Sequence, residues 1–342
     1  MPVYYRPVPC TDPARPAAGA LTLAGGWTWF DRAERLERGR APEIVPLSEI
    51  PQDILAALTR PRPRIAGLDF SAPRLMGILN VTPDSFSDGG LYASCARAVA
   101  HGRAMAAAGA DILDIGGEST RPGAQTIAAE QEIARTRPVI AGLRREIATP
   151  VSIDTRKAAV ARAALTAGAD MINDVAALTY DTGLKQLVAE TSTPVCLMHA
   201  QGDPQTMQND PRYEDVVLDV YDFLAERIAD ATTCGVPRHR IVIDPGIGFG
   251  KTLEHNLALL RRIGLFHALG CPVLLGASRK RFIGTIADVP EAAERVPGSL
   301  AVALAAASQG IQILRVHDIA QTRQALSLHM AVTAMPDEGP ER

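Results

Sequence analysis

The sequence predicts an α/β fold, a closed (β/α)8 barrel with a small N-terminal extension, and three observations lead to it. Eight short apolar runs occur after residue 73, and most end in a polar group. Ala-rich stretches of helical character separate them, for example residues 96–108 and 157–167. Two of these stretches lead into the same Ala-Gly-Ala-Asp sequence, with Asp111 and Asp170 59 positions apart, which suits two βα units of about 30 residues each.

The order of the elements decides between a barrel and an open sheet. Strands that alternate with helices predict a parallel sheet. Eight candidate strands favour closure, and the open doubly wound alternative would need a GxGxxG sequence after the first strand, which is missing. A TIM barrel of about 250 residues plus an extension fits the 342 residues of the chain. Because such a barrel gathers the carboxyl ends of its strands on one face, we expect the polar groups there to form one pocket.

We divide the chain into three parts. Residues 1–72 are an N-terminal extension of unknown role, with both tryptophans and many prolines. Within it we expect a strand over residues 21–30, a charged helix near 31–40 and a short helix over 53–59. Residues 73–333 form the barrel, and residues 334–342 form a flexible C-terminal tail.

Composition excludes several classes of partner. The net charge is -3 without a basic block, which argues against nucleic acid and anionic membranes. Five scattered cysteines without a CxxC pair indicate neither a disulfide framework nor a zinc cluster. The N-terminal residues lack the apolar segment of a signal peptide, and no apolar stretch reaches the roughly 18 residues of a membrane span. We therefore expect a cytoplasmic protein.

Two long loops follow the first two strands. Residues 80–90 (Asn-Val-Thr-Pro-Asp-Ser-Phe-Ser-Asp-Gly-Gly) and 116–123 (Gly-Gly-Glu-Ser-Thr-Arg-Pro-Gly) are too polar and Gly-rich to continue a strand. Hydroxyl, amide and backbone N–H groups there can bind a phosphate, and Arg121 can donate two hydrogen bonds to one. The alternative is a pair of ordinary βα loops. Residues 246–251 (Gly-Ile-Gly-Phe-Gly-Lys) lack the Walker spacing and more simply shape their own loop.

Asp154, Asn173 and Asp244 each directly follow an apolar strand, so we expect them to be partly buried. A buried carboxylate needs a donor. A flat heterocycle with an aminopyrimidine edge offers two parallel N–H groups to one carboxylate. Two alternatives stay open, salt bridges inside the barrel mouth, for example of Asp154 with Arg156 or Lys157, and a metal held by the two aspartates.

Cationic and imidazole side chains follow the last two strands. Lys280 supplies a compact charge, and Arg315 can also stack on an aromatic plane. Arg315 and His317 are two residues apart on a strand, so they face the same side. His317 is either a hydrogen-bonding group of the pocket or a structural histidine, and for His199 the structural role is favoured.

Taken together, these segments resemble one family. Residues 76–90 and 116–124 resemble the two long signatures of the dihydropteroate synthases. Shorter matches follow in the family's order: Ser152-Ile-Asp-Thr, Ile172-Asn-Asp, Asp244-Pro-Gly-Ile-Gly-Phe-Gly, Ser278-Arg-Lys and Arg315-Val-His. The resemblance covers about residues 74–330. It implies a TIM barrel that joins p-aminobenzoate to 6-hydroxymethyl-7,8-dihydropterin diphosphate and releases diphosphate and 7,8-dihydropteroate, a folate precursor.

The same resemblance implies roles for single residues. The pterin is held by Asp154, Asn173, Asp244 and Lys280, with Arg315 stacked on its ring. The diphosphate faces Asn80, Thr120, Arg315 and His317, with Asn80 near a Mg²⁺ cofactor. The p-aminobenzoate site is shaped by Phe86, Arg121, Pro122, Ser278 and Phe249. We assign catalytic roles to Arg121, Lys280, Arg315 and His317, and expect a homodimer.

Two rival functions share this pocket. A pterin-binding methyltransferase needs neither a diphosphate site nor an aromatic-amine loop, so the intact Thr120-Arg-Pro and Ser278-Arg-Lys sequences argue against it. A non-catalytic pterin-binding paralogue could keep every site residue, and only activity separates it from the enzyme.

Overall fold

The computed structural model describes residues 2–82, 90–119, 123–202 and 206–333. The N-terminal extension consists of small antiparallel sheets and one helix. A three-stranded sheet has the order β1-β4-β5, and β2 pairs with β3. The elements of the extension are β1 (Val3–Pro7), β2 (Leu21–Thr22), β3 (Trp29–Phe30), β4 (Arg32–Glu37), β5 (Glu43–Pro46) and α1 (Gln52–Thr59).

The extension departs from the sequence prediction in two places. The charged helix expected near residues 31–40 is wrong, because Arg32–Glu37 is the central strand β4, paired on both sides. Ala33 and Leu36, which lie on opposite faces of this strand, are both buried, so pairing and packing override local helix propensity. The strand expected over 21–30 is a two-stranded hairpin, whereas the helix over 53–59 is confirmed as α1.

Strands and helices alternate through the rest of the chain as predicted. The strands are β6 (Arg74–Asn80), β7 (Ile112–Gly116), β8 (Val151–Asp154), β9 (Met171–Asp174), β10 (Val195–Met198), β11 (Ile241–Asp244), β12 (Leu274–Leu275) and β13 (Ile313–Val316). The helices are α2 (Gly90–Ala107), α3 (Ala129–Arg144), α4 (Ala158–Thr166), α5 (Thr182–Thr191), α6 (Val216–Thr233), α7 (Leu253–Arg261), α8 (Arg281–Ala287), α9 (Val296–Ser308) and α10 (Ile319–Thr333).

The eight strands close into a barrel. Their order is β11-β10-β9-β8-β7-β6-β13-β12, and the neighbouring pairs are parallel. The two ends of this order meet, since Ile243 pairs with Val273 and its N–H donates to the Pro272 carbonyl at 3.0 Å. Closure pairs the last strand edge, which rules out the open-sheet alternative.

The repeated Ala-Gly-Ala-Asp sequence has one structural role in both copies. Asp111 accepts the N–H of Leu75 at 2.7 Å, and Asp170 accepts the N–H of Val151 at 2.8 Å. Each carboxylate thus binds the start of the neighbouring strand, and each also pairs with an arginine from a surrounding helix. The repeat therefore fixes the strand register at the amino end of the barrel.

The extension closes that amino end. Inward-facing apolar side chains form a layer there, and Ile65 and Phe70 from the extension pack against it. Polar contacts fix the rest of the extension to the outside of the barrel, among them Tyr4 with Asp222 at 2.9 Å and Trp27 with the Ala307 carbonyl at 2.8 Å. Residues 334–342, the expected tail, lie outside the described residues. In the described part of the chain, no helix has both the length and the apolar character to cross a bilayer.

Candidate active site

A change from apolar to polar side chains along the barrel axis creates the site. Residues two apart on a strand face the same side, so the positions two beyond the apolar layer also face the interior. Met76, Ile112 and Met171 belong to the apolar layer. The next inward position is polar in several strands, as with Asp114, Ser152, Asn173, Asp244 and Arg315.

Arg315 is the centre of the mouth. Its Nε donates to Asp114 Oδ2 at 2.6 Å, and its Nη2 donates to Asp154 Oδ2 at 2.8 Å. Asn173 Nδ2 also donates to Asp114 Oδ2, at 2.9 Å. The four strands β7, β8, β9 and β13 are therefore joined through one guanidinium and two carboxylates. The alternative of salt bridges inside the mouth is confirmed for Asp154, but its partner is Arg315 and not Arg156 or Lys157, which both pair with Glu118.

Each aspartate bound to Arg315 keeps one oxygen free of protein donors. Asp114 Oδ1, Asp154 Oδ1 and Ser152 Oγ are buried and have no hydrogen-bond partner among the described residues. A buried polar atom left without a partner costs about 1–3 kcal/mol, so these atoms call for a ligand or water. Two acceptor oxygens, on the two carboxylates that bind Arg315, suit a flat group with several N–H donors.

Two inward-facing glycines leave room for that group. A methyl group added at Gly116 would lie 3.4 Å from Asn80 Oδ1 and 3.7 Å from Asp154 Oδ2. One added at Gly276 would lie 3.7 Å from Asp244 Oδ2. The strand register also places Asn80, Gly116, Asp154 and Asn173 in one row across four neighbouring strands. Asn80 therefore borders the space in front of Asp154.

Burial shifts the charges of the mouth toward neutrality. Burial raises the pKa of Asp154 to about 7, although Arg315 opposes the shift. It also raises the pKa of Asp244, against the nearby charge of Lys280. Burial lowers the pKa of Lys280 to about 8, although Asp244 opposes it. For Arg315, burial works against the charge, but Asp114 and Asp154 raise its pKa above the ordinary value.

The remaining described residues of the predicted site flank this centre. Lys280 Nζ lies 4.5 Å from the ring centroid of Phe249 and donates to the Ile247 carbonyl. Asp244 Oδ1 accepts the N–H of Gly246 at 2.7 Å, which fixes the same loop. Ser278 Oγ lies 3.1 Å from His317 Nδ1 and accepts the His317 N–H at 3.2 Å.

Two further predictions concern the residues of the loops and a possible metal site. Phe86, Thr120, Arg121 and Pro122 lie outside the described residues. Within residues 2–82, 90–119, 123–202 and 206–333, no three His, Cys, Asp or Glu side chains cluster as a metal site. The alternative of a metal held by Asp154 and Asp244 therefore has no support from a ligand cluster in that part of the chain.

The sequence prediction missed Asp114 and Lys251. Asp114 is fully buried and binds both Arg315 and Asn173, but it lies within the apolar run Ile112–Ile115. Its inward register relative to Ile112 could have revealed it. Lys251 is buried, and its Nζ lies 2.8 Å from His199 Nδ1 and donates to the Phe249 carbonyl at 3.1 Å. His199 is packed against Phe223, in keeping with the favoured structural role.

Comparison with known proteins agrees with this geometry. The family model of the pterin binding enzymes matches residues 76–317. The dihydropteroate synthase of Escherichia coli (strain K12) is 47% identical over 259 residues, which cover 76% of this chain and 91% of that protein. The dihydropteroate synthase of Neisseria meningitidis serogroup B is 48% identical, covering 78% of this chain and 94% of its own. The chain belongs to the dihydropteroate synthase family.

Solved dihydropteroate synthases have the same fold. The Xanthomonas albilineans synthase with 4-aminobenzoic acid is 49% identical, with a TM-score of 0.76, over 81% of this chain and 99% of that chain. The Yersinia pestis synthase in a sulfonamide drug complex is 44% identical, with a TM-score of 0.74, over 78% and 96% of the two chains. The predicted TIM barrel is thus confirmed. About a fifth of this chain has no counterpart in these dihydropteroate synthases.

Proposed function

We propose that the chain condenses 6-hydroxymethyl-7,8-dihydropterin diphosphate with p-aminobenzoate, giving 7,8-dihydropteroate and diphosphate in folate biosynthesis. The observation that carries this proposal is the pair of unpartnered oxygens on Asp114 and Asp154, which flank Arg315 in the barrel mouth. Relatives solved with 4-aminobenzoic acid and with 7,8-dihydropteroate, both from Xanthomonas albilineans, support the two halves of the reaction.

The pterin half of the site follows from the acceptors and donors available. We assign Asp154, Asn173, Asp244 and Lys280 to the edge of the pterin, where carboxylates accept its N–H groups and Lys280 donates to its acceptor atoms. Arg315 lies between two carboxylates that hold its plane, and we assign it the ring face. We add Asp114 as the residue that orients both Arg315 and Asn173.

The chemistry needs charge stabilisation more than proton transfer. The C–O bond to the diphosphate breaks, and the amine nitrogen of p-aminobenzoate forms the new C–N bond with the methylene carbon. Arg315 and His317 stabilise the negative charge that develops on the departing diphosphate. The amine is a neutral nucleophile and loses its proton after attack, so no strong general base is required. Lys280, which keeps its proton below about pH 8, stays an electrostatic group in this scheme.

The amine half rests on the resemblance. We assign Phe86, Arg121 and Pro122 to p-aminobenzoate and Thr120 to the diphosphate. Ser278 and Phe249 complete the amine side, adjacent to His317 and Lys280 respectively. We expect sulfonamides to compete with p-aminobenzoate there, and a noncompetitive pattern would place the amine site elsewhere.

Magnesium fits this donor set only as a substrate-held ion. Asn80 offers one neutral oxygen at the edge of the mouth, and the described residues contain no acidic cluster beside it. Mg²⁺ would take most of its ligands from diphosphate and water, and it would neutralise charge on the leaving group.

A homodimer is the assembly we propose. Helix α9 is apolar on nearly all sides, yet Ala301 and Ala305 are exposed. On the neighbouring helix α10, Leu328 and Val332 are 67% and 71% exposed. An all-apolar helix is normally covered on every side, so these two helices suit a contact between copies. The molar mass in solution, measured by light scattering, tests this assignment.

A cytoplasmic location stays a prediction. The five cysteines are free, which suits a reducing compartment.

The decisive experiment is a coupled assay for dihydropteroate. Purified protein receives the pterin diphosphate, p-aminobenzoate and Mg²⁺, and product is followed by chromatography or by its reduction to tetrahydropteroate. We expect turnover that depends on all three, and chelation of Mg²⁺ should suppress it. Pterin binding without any turnover would instead identify a non-catalytic paralogue.

A further inference from the structure

A cavity of about 320 Å³ lies at the amino end of the barrel, at the opposite ends of the strands from the mouth. The reaction scheme above does not use it. The N-terminal extension contributes Arg64, Ala66 and Gly67 to its wall, and the barrel contributes His239 and Arg240, which lie just before strand β11. The cavity is therefore a space between the extension and the barrel, with cationic side chains on both sides.

Two cationic segments that are remote in sequence form this end of the molecule. One is residues 60–64 (Arg-Pro-Arg-Pro-Arg), and the other is residues 238–240 (Arg-His-Arg). The whole chain has a net charge of -3, so this concentration of positive charge is local. Like charges that are held together repel one another, and an anion between them removes that repulsion.

The fold brings the two segments to the same stretch of backbone. Arg62 Nη2 donates to the His267 carbonyl at 2.8 Å, and Arg238 donates to the carbonyl of Leu269, two residues further along. Burial lowers the pKa of Arg62 to about 10, and the positive charges of Arg60 and Arg238 add to this shift. The arginines of the two segments therefore lie close enough to interact.

Carboxylates of the chain do not neutralise this charge. Within the part of the chain that the structure describes, the five arginines of the two segments form no ion pair. Asp170 also lines the cavity, but its Oδ2 accepts from Arg144 Nη2 at 2.8 Å and from the N–H of Val151 at 2.8 Å. Its charge is thus balanced by Arg144, and the cavity keeps an excess of positive charge.

The extension holds Arg64 and the following turn in a fixed place. Ile65, next to Arg64, is 1% exposed and packs into the apolar layer at the amino end of the barrel. Ile65 and Leu68 exchange backbone hydrogen bonds of 2.8 and 3.1 Å, which closes a two-residue turn at Ala66 and Gly67. The N–H groups of these two turn residues have no acceptor among the described residues, so they remain available to a ligand.

The donors around the cavity suit a phosphoryl group. Arg64 and the turn N–H groups lie on one side, whereas Arg240 and His239 lie on the other. Arg240 uses Nη1 for the Ser192 carbonyl, which orients its guanidinium and leaves Nε and Nη2 for a ligand. A planar carboxylate is satisfied by one guanidinium, but a phosphoryl group has three or more acceptor oxygens that point in different directions.

We propose that this cavity binds the phosphoryl group of a small anion, held between Arg64 of the extension and Arg240 of the barrel. The volume is about ten times the roughly 30 Å³ of one liquid water, so it also has room for a small organic group. Arg64 lies outside residues 76–317, which match the family model, so the site depends on the extension of this chain. The proposed reaction and this site are independent of each other.

The test is the substitution Arg64→Gln in the full chain, with labelled inorganic phosphate as the probe in equilibrium dialysis. We expect the wild type to bind phosphate at one site that the variant has lost or binds about tenfold more weakly, the effect of removing one hydrogen bond from a charged group. The kcat/KM for the pterin diphosphate should stay within about twofold, because Arg64 lies far from the mouth along the strands.

Arg103→Gln is the matched control, since it removes one exposed arginine from helix α2 and leaves the cavity unchanged. Its phosphate binding should equal that of the wild type. Hydrogen exchange locates the site, because phosphate should slow exchange of the amides of residues 64–68 in the wild type and in Arg103→Gln but not in Arg64→Gln.

Three results would overturn the inference. The first is equal phosphate binding in the wild type and in Arg64→Gln, and the second is an equal loss in Arg103→Gln, which would reflect net charge alone. The third is that acetate binds to the wild type as tightly as phosphate, which would show a carboxylate site. None of these results depends on whether the protein makes dihydropteroate.

Discussion

At the scale of single residues, the site depends on how one cation is shared. Arg315 uses Nε for Asp114 and Nη2 for Asp154, and each carboxylate keeps one buried oxygen without a hydrogen-bond partner among the described residues. A lysine could not hold two carboxylates in fixed directions with one rigid plane. Under the proposed function, Asp114 thereby becomes part of the pterin site, although it is not an obvious candidate in the sequence.

Replacement of Asp244 by Ala should weaken binding of a pterin ligand roughly a hundredfold or more, because each hydrogen bond to a charged group contributes about 1.5–3 kcal/mol. Isothermal titration calorimetry measures this directly. Asp230→Ala is the control, since Asp230 pairs with Lys185 on the outer helices. Unchanged pterin affinity in Asp244→Ala would remove Asp244 from the site.

The pH dependence of kcat/KM for the pterin diphosphate should be bell-shaped. Asp154, with its pKa raised to about 7, becomes an acceptor as pH rises through that value. Lys280, with its pKa lowered to about 8, loses its charge as pH rises further. Because kcat/KM reports the free enzyme, the maximum should lie between the two values.

Two variants assign the limbs of that profile. Asp154→Asn should remove the acid limb, and Lys280→Arg should move the alkaline limb to higher pH because arginine keeps its proton. An alkaline limb at the same pH in Lys280→Arg would show that Lys280 does not cause it.

At the scale of elements, the loop after β11 holds Lys280 in place. The Ile247 carbonyl accepts from Lys280, and the Phe249 ring lies beside its ammonium group. Lys251 in turn holds the Phe249 carbonyl and contacts His199. Burial lowers the pKa of His199 to about 2, so His199 is a neutral packing residue and not a proton carrier.

Replacement of Gly246 by Ala should disrupt this loop. The residue has a φ of +68°, and a methyl group there would lie 1.8 Å from the His199 carbonyl oxygen. We expect a loss of about 2–4 kcal/mol in the free energy of unfolding together with weaker pterin binding. Gly39→Ala is the matched control, because Gly39 has a φ of +70° and open space around it, so only about 1–2 kcal/mol should be lost. Equal losses in the two variants would mean that the close approach to His199 is unimportant.

At the scale of the whole molecule, the N-terminal extension is part of the barrel core. Ile65 and Phe70 cover the apolar layer at the amino end, and Glu34 on β4 pairs with Arg262 at 3.0 Å beyond helix α7. The mouth lies at the opposite ends of the strands. Stability and ligand binding should therefore respond separately to changes in the extension.

Replacement of Phe70 by Ala should lower the free energy of unfolding by about 3–5 kcal/mol, the usual cost of truncating a buried phenylalanine. Urea titration measures this loss. Pterin affinity should stay within about twofold, and Ile44→Ala, at an exposed position of the extension, should change stability by less than about 0.5 kcal/mol. A stability loss of similar size at both positions would contradict the packing role of Phe70.

The sequence by itself determined the barrel, its closure and the set of polar strand ends. Apolar runs of strand length that alternate with helices leave few folds open, and a closed barrel gathers the strand ends that carry Asp154, Asn173, Asp244 and Arg315 on one face. The apolar runs and the polar residues that follow them are local properties, so they can be read directly from the sequence.

Only the tertiary structure decided which groups pair. Asp154 has Arg156 and Lys157 close in sequence, yet it binds Arg315, 161 positions away, while its neighbours bind Glu118. The strand Arg32–Glu37, which reads as a helix, is fixed by partners on both sides. Partner choice depends on distances between segments that are remote along the chain. Those distances are set when the barrel closes, and the order of residues does not contain them.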